Sequence, residues 1–247
     1  MEVAVLGLGE AGGRIAADLM AAGCEVRGWD PVRRAEGITN AANAQEAVSG
    51  AEVILSLNSA AVALGVALDV AEALDSDALY ADLNTASPQL KRDLAAALPM
   101  RFADVALVGV VPDTGLATHA LTSGAGAKRF ADLFRPLGMP VEVVGPHPGD
   151  AAGLKLLRSV FMKGIAAAAI ETLEAARAAG VEDRLHSDIA AVLGDPLLER
   201  LLGGSEEHAA RRVDEMHAAT AYLGELGVEP RIAQAAAGWL EQLRDAE

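Results

Sequence analysis

The sequence predicts an α/β protein: a doubly wound, mainly parallel sheet over residues 1–148, then an all-α region over 149–247 that opens with one long interdomain helix. Three observations predict it. Up to Pro146, short β-branched apolar runs alternate with Ala-rich stretches that read at helical period. After Gly145-Pro146-His147-Pro148-Gly149 no such run recurs, and everything to Glu247 reads as helix. Hydrophobic residues are 52% of the chain and aromatics only 3%, so the core is built from Ala, Leu, Val and Ile, which suits helices laid on a sheet.

In order, the expected strands are Val3–Leu6, Glu25–Trp29, Val53–Leu57, Leu79–Leu83, Phe102–Val111, His119–Thr122 and Val141–Val144. Helices fit between them at Ala11–Ala22, Ala60–Leu74, Pro88–Leu98 and Ala125–Arg135. Strands alternating with helices imply a sheet covered on both faces. Asp150–Ala179 then reads as one long helix stopped by Gly180. Helices at Asp183–Leu193, Pro196–Leu202, Ser205–Leu226 and Pro230–Arg244 follow, with Ser205-Glu206-Glu207 supplying an N-cap and two acids. A thin helical domain has trouble covering its own apolar surface, so a homodimer formed through residues 149–247 is expected, with a compact monomer whose helices pack on its own sheet domain as the alternative.

The formal net charge of −15, with basic residues scattered, argues against a nucleic-acid partner. Cys24 is the single cysteine, so no intrachain disulfide forms and a reducing cytoplasm is the expected compartment. No export signal is read at Met1-Glu2, which runs directly into a strand. The longest uncharged run, Val53–Leu68, carries Asn58 and Ser59 and falls short of the ~20 apolar residues of a membrane span. There is no H-x-x-x-H or H-E-x-x-H pair and no G-x-S-x-G, so neither metal catalysis nor a serine hydrolase is indicated.

Gly7-Leu8-Gly9-Glu10-Ala11-Gly12 is a G-x-G-x-x-G placed directly after a strand and opening a helix, the context of a Rossmann dinucleotide site. Gly7 makes the tight turn, Gly9 lets the backbone approach a pyrophosphate, and Gly12 lets helix and strand pack closely. Asp30 ends the second strand, where an acid accepts from ribose hydroxyls and repels a 2′-phosphate. That favours NAD; Arg33 and Arg34 follow, which keeps NADP open, and a solvated loop edge is the alternative for both arginines. Leu57-Asn58-Ser59 and Asp82-Leu83-Asn84-Thr85 lie at strand ends where a parallel sheet offers its edge to a ligand. Asn58, Ser59 and Asn84 are thus cofactor candidates and Thr85 a substrate candidate, with helix capping before Ser87-Pro88 as the alternative. On the long helix Lys155, Ser159 and Lys163 are spaced by four and share a face, with Gly164 as a place of close approach. From the residues alone, a solvated lysine and a proton-transferring one both remain open at position 155.

These three segments resemble the β-hydroxyacid dehydrogenase family, which includes 3-hydroxyisobutyrate dehydrogenase and the phosphogluconate dehydrogenases. Gly7-Leu8-Gly9-Glu10-Ala11-Gly12 matches its cofactor motif, Asp82-Leu83-Asn84-Thr85-Ala86-Ser87-Pro88 its D-x-S/N-T-x-x-P segment, and Gly149-Asp150-Ala151-Ala152-Gly153-Leu154-Lys155 its glycine-to-lysine segment. The resemblance implies a nicotinamide-dependent oxidoreductase of a small molecule, with Lys155 as general acid/base and Ser159 standing where the family usually has a substrate-binding Asn. The family's D-A-P-V-S-G-G aligns with Asp104–Val110, leaving Gly109 as the retained glycine and making simple 3-hydroxyisobutyrate a poor substrate. The glutamate that assists decarboxylation in phosphogluconate enzymes is Met162 here, which implies plain oxidation or reduction. The segment through Lys163-Gly164 and His208–Met216 looks like a branch with a short helical C-terminal domain of unassigned role. There Lys163 is a substrate-binding candidate and Arg212 a candidate for a substrate anion, from a partner subunit; a salt-bridge cluster of His208, Arg212 and Glu215 is the alternative for Arg212. Two other readings stand: an imine reductase, against which the retained lysine argues, and a dinucleotide sensor or scaffold without turnover.

Overall fold

The computed structural model describes residues 1–98, 101–207 and 209–245. The chain divides into two compact units, Met1–Lys155 and Leu156–Glu247. In the first, the elements run β1 (Glu2–Leu6), α1 (Glu10–Ala21), β2 (Glu25–Trp29), β3 (Thr39–Asn40), α2 (Ala44–Val48), β4 (Val53–Ser56), α3 (Ala60–Val70) and β5 (Leu79–Asp82). They continue with α4 (Pro88–Ala97), β6 (Arg101–Val108), α5 (Val111–Thr114), β7 (His119–Ser123), α6 (Ala127–Phe134) and β8 (Val141–Gly145). The long helix α7 (Asp150–Ala178) starts in this unit and continues into the second, where α8 (Glu182–Leu193), α9 (Asp195–Glu207), α10 (Ala209–Glu225) and α11 (Arg231–Asp245) follow.

The eight strands form one sheet in the order β3-β2-β1-β4-β5-β6-β7-β8. Every neighbouring pair is parallel except β6–β7. The alternation of side chains along each strand explains why both faces need cover. Val3 and Val5 enter a core shared with Ile15 and Leu19 of α1 and Phe130 and Phe134 of α6, while Ala4 and Leu6 enter one shared with α2, α3 and Leu94 of α4. Between β1 and β4 the strand order reverses, and it is outside the carboxyl ends of those strands that an α/β sheet leaves a crevice. Cys24 is a buried free thiol, and burial pushes its pKa up, away from the reactive thiolate.

In the second unit α10 and α11 pack through Val213, Met216, Ala219, Leu223, Ala233, Ala236 and Leu240, joined by Leu156 and Ala167 of α7. Trp239 Nε1 donates to Glu171 Oε2 at 3.0 Å. Gly164 does meet a close neighbour, since a Cβ there would lie 2.6 Å from Ile232 Cγ2. Among the described residues no helix is long and apolar enough to cross a membrane.

The structure differs from the sequence reading at three places. The strand expected over Phe102–Val111 ends at Val108, because Pro112 has no N–H for a ladder and instead sits in the first turn of α5. No helix starts at Ser205. Instead α9 runs on through Gly203 and Gly204 to Glu207, the burial of Leu198 and Leu201 outweighing a cost of about 1 kcal/mol per glycine. His208 lies outside the described residues. Third, β3 and α2 were not foreseen, although Asn43 and Glu46 carried a signal: the Asn43 side chain accepts from Glu46 N, and Glu46 Oε2 accepts from Ala42 N.

Candidate functional site

The glycine-rich segment turns where a long side chain could not. Gly7, at φ +100°, donates its N–H to Trp29 O at 2.8 Å, and a Cβ there would overlap the Leu57 carbonyl and lie 2.8 Å from Asn58 N. Thus Gly7, Leu57 and Asn58 form one close backbone contact between the ends of β1 and β4. A Cβ on Gly12 would overlap the Gly7 carbonyl oxygen, so helix and strand approach as the motif requires. Gly9 is different: a Cβ there would meet nothing nearer than Arg33 Nη1, at 3.9 Å. No side chain caps α1 at Gly9, so the amino end of the helix keeps its partial positive charge for an anion.

Asp30 holds this turn in place. Its Oδ2 accepts from Leu8 N at 2.9 Å and its Oδ1 from Val32 N and Arg33 N, each at 2.9 Å. Burial works to raise its pKa, but the three backbone N–H groups and the Arg33 charge outweigh that and lower it. Arg34 Nη1 donates to the backbone oxygens of Asp30 and Arg33. Glu10 and Ser59 are exposed, and Leu57 and Asn58 are half-buried.

The ends of β4 and β5 are joined by side-chain amides. Asn84 Nδ2 lies 2.6 Å from Asp82 Oδ2, 3.1 Å from Ser56 Oγ and 3.1 Å from Asn58 Oδ1, and Asn58 Nδ2 donates to Ser56 Oγ at 3.2 Å. Beneath them lies a group the sequence reading missed. The Lys91 ammonium, fully buried, lies 2.5 Å from Asp82 Oδ1, 2.8 Å from Asp82 O and 3.2 Å from Asp104 Oδ1, both acids being equally buried. Burial alone would lower the Lys91 pKa, but the two carboxylates outweigh it and hold the ammonium charged. Asp104 Oδ2 accepts from Ser123 Oγ at 3.1 Å, Gly149 N at 3.1 Å and Ala152 N at 3.0 Å, so a buried acid caps α7. Nothing in the pattern around Lys91 marks it, since a lysine in the first turn of a helix normally faces water.

One helical turn past Ala152, Lys155 Nζ donates to Thr85 Oγ1 at 2.8 Å. This brings together two of the residues singled out from sequence, Thr85, exposed on the otherwise largely buried loop after β5, and Lys155, half-buried on α7. Ser159 and Lys163 lie elsewhere, in the second unit. The Ser159 Oγ is buried 2.5 Å from Glu215 Oε1, and Lys163 Nζ donates to Glu215 Oε2 at 3.0 Å and to Ser159 Oγ at 3.2 Å. Arg212 is half-buried one turn before Glu215 on α10, and Gly109 is exposed at the end of β6.

The first unit fits a dinucleotide on two observations: the open space over Gly9 beside an uncapped helix, and the Asp30 clamp that fixes the turn. The diphosphate would rest against the amino end of α1, with Asn58 and Asn84 at the neighbouring strand ends.

Comparison with known proteins agrees. An uncharacterized 28.5 kDa protein of Methanothermus fervidus is 28% identical over 178 residues, which are 70% of this chain and 68% of that protein. A solved structure of a conserved protein, described as similar to 3-hydroxyacid dehydrogenases, is 29% identical with a TM-score of 0.81, covering 100% of this chain and 98% of that one. A 3-hydroxyisobutyrate dehydrogenase from Mycobacterium tuberculosis shares the fold at 21% identity and a TM-score of 0.84, covering 98% and 92%. Residues 176–243 match a domain of unknown function (DUF1932). Residues 2–132, more than half of the chain, match the family model for the NAD binding domain of 6-phosphogluconate dehydrogenase, and the chain belongs to that family.

Proposed function

We propose that this protein is an NAD(P)-dependent oxidoreductase. It moves a hydride reversibly between the nicotinamide and a hydroxy acid or related alcohol or carbonyl substrate, without decarboxylation, and Lys155 is the general acid/base. The observation that carries the reading is the Lys155–Thr85 hydrogen bond, which supports a proton-transferring group at the same sheet edge as Asn58 and Asn84. A bound nicotinamide supplies the hydride acceptor or donor. Lys155 exchanges a proton with the substrate oxygen through Nζ, and Thr85 Oγ1 orients that amine until the substrate oxygen takes its place. Ser159 orients substrate in this scheme only by giving up its bond to Glu215. Arg212 of the partner subunit is the candidate for a substrate anion, Lys163 is a substrate candidate only by giving up its bond to Glu215, and Gly109 lines the substrate side. Residues 1–148 serve the cofactor and 149–247 the substrate and the dimer contact.

Two measurements test the foundation. Calorimetry with NAD and with NADP is expected to show binding of at least one below millimolar concentration; no heat from either, with folded protein, overturns the reading. Asp30 argues for NAD as the tighter, while Arg33 above Gly9 is the residue that would receive a 2′-phosphate. Light scattering at micromolar concentration is expected to give a dimer, since Leu157, Phe161 and Ile232 leave large apolar side chains exposed, Phe161 by 66%. A single monomeric mass refutes the dimer.

A further inference from the structure

A fully buried lysine is costly to keep charged, and Lys91 is one that the proposed chemistry does not use. Its position explains the cost. The two acids it pairs lead to the two partners of one hydrogen bond. On one side Asp104 Oδ2 grips Gly149 N and Ala152 N, the first turn of the helix that carries Lys155. On the other side Asp82 Oδ2 grips Asn84 Nδ2 at 2.6 Å, the residue directly before Thr85. Ser123 completes the Asp104 side, taking Ala151 N at 3.0 Å on the same oxygen that donates to Asp104.

We infer that Lys91 is a positioning residue for Lys155: by clamping Asp82 and Asp104 together it fixes the separation of the Thr85 loop and the start of α7, and so holds the Lys155–Thr85 hydrogen bond. The inference rests on Lys155 being the acid/base. Its physical basis is that Asp82 and Asp104 repel each other across neighbouring strands unless a cation lies between them. Removing that cation leaves two buried acids facing each other, and they relieve the conflict by separating or by one taking up a proton. Either outcome changes the acceptors offered to Asn84 or to the α7 amides.

The chain has only four lysines, Lys91, Lys128, Lys155 and Lys163, so protein labelled with 15N and 13C in lysine gives one side-chain signal for each. Lys155→Arg assigns the Lys155 signal, and Thr85→Val supplies its position when the hydrogen bond is absent. In Lys91→Met the Lys155 signal, and its pH titration, are expected to move most of the way to the Thr85→Val position, while exposed Lys128 stays fixed. The isosteric Asp104→Asn is the second arm: whichever way its amide turns, a donor meets either the α7 amides or the Lys91 ammonium, so the same shift is expected. A merely structural role would lower the melting temperature of both variants and leave the Lys155 signal of the folded protein in place. That result in either folded variant overturns the inference, as does failure of both to fold. Because this reads Lys155 directly, its outcome is separate from whether Lys155 performs acid/base chemistry, which turnover of Lys155→Ala decides.

Discussion

Lys155→Ala is expected to lower turnover by about a hundredfold to ten-thousandfold while leaving the coenzyme dissociation constant unchanged, the range typical of a positioned acid/base. That corresponds to about 3–5 kcal/mol of barrier. The separation of the two effects follows from the geometry. Gly7, Gly9, Gly12 and Asp30, which shape the dinucleotide turn, make their contacts around β1, β2 and β4, whereas Lys155 is bonded to Thr85 after β5. The measurement is the initial rate of nicotinamide absorbance change on a substrate found by screening a hydroxy-acid panel with NAD and NADP, beside calorimetry of the variant. Full turnover retained by Lys155→Ala removes it as the acid/base and favours another proton donor.

The second large effect separates two glycines of one motif. Gly12→Ala is expected to destabilise the protein by about 3 kcal/mol, because the new methyl overlaps the Gly7 carbonyl oxygen and only backbone movement can relieve it. Gly9→Ala is expected to leave the melting temperature nearly unchanged, since its Cβ meets only the far end of Arg33. Its loss falls on the ligand. A methyl group there occupies the open space over the amino end of α1, and coenzyme affinity drops by about tenfold or more, the equivalent of about 1.4 kcal/mol. Thermal melts and coenzyme titrations of both variants check this. A stable Gly9→Ala that binds coenzyme as tightly as the parent protein places the diphosphate elsewhere.

Much of the architecture was legible because short-range rules governed it. The apolar run Val3-Ala4-Val5-Leu6 announced β1, which buries Val3 and Val5 on one face and Ala4 and Leu6 on the other, and Gly180 ended the helical pattern of α7 near where the structure ends it. The misread helix start at Ser205 has the opposite origin. A serine followed by two glutamates is a sound local cap, yet the buried faces of Leu198 and Leu201 carried α9 through it. Local signals lose where apolar burial on one side of a helix exceeds what a cap contributes, about 1 kcal/mol.

The candidate site divides in the same way. Sequence singled out Thr85 and Lys155 separately, seventy positions apart, and the fold brings them to 2.8 Å. It grouped Lys155, Ser159 and Lys163 by helical spacing, which holds along the helix. Spacing cannot say what each meets: Lys155 meets the Thr85 loop of the first unit, while Ser159 and Lys163 meet Glu215 in the second. The sequence makes Asp30 a candidate acceptor for a ribose; what the structure adds is that its carboxylate anchors the glycine turn through Leu8 N.

Whereas β3, α2 and α5 came only with the structure, what the sequence by itself determined is the alternation of the main strands and helices, the glycine turn, and the family to which residues 2–132 belong. Those follow from periodicity and from φ angles that only glycine adopts readily, both properties of a few adjacent residues. Only the tertiary structure decided that Lys91 lies charged between Asp82 and Asp104, and that the same two acids lead to the helix carrying Lys155 and to the loop carrying Thr85. The reason is that burial and charge pairing belong to groups brought together from distant strands, and a lysine three residues past a helix-starting proline looks the same in the sequence whether it faces water or two carboxylates.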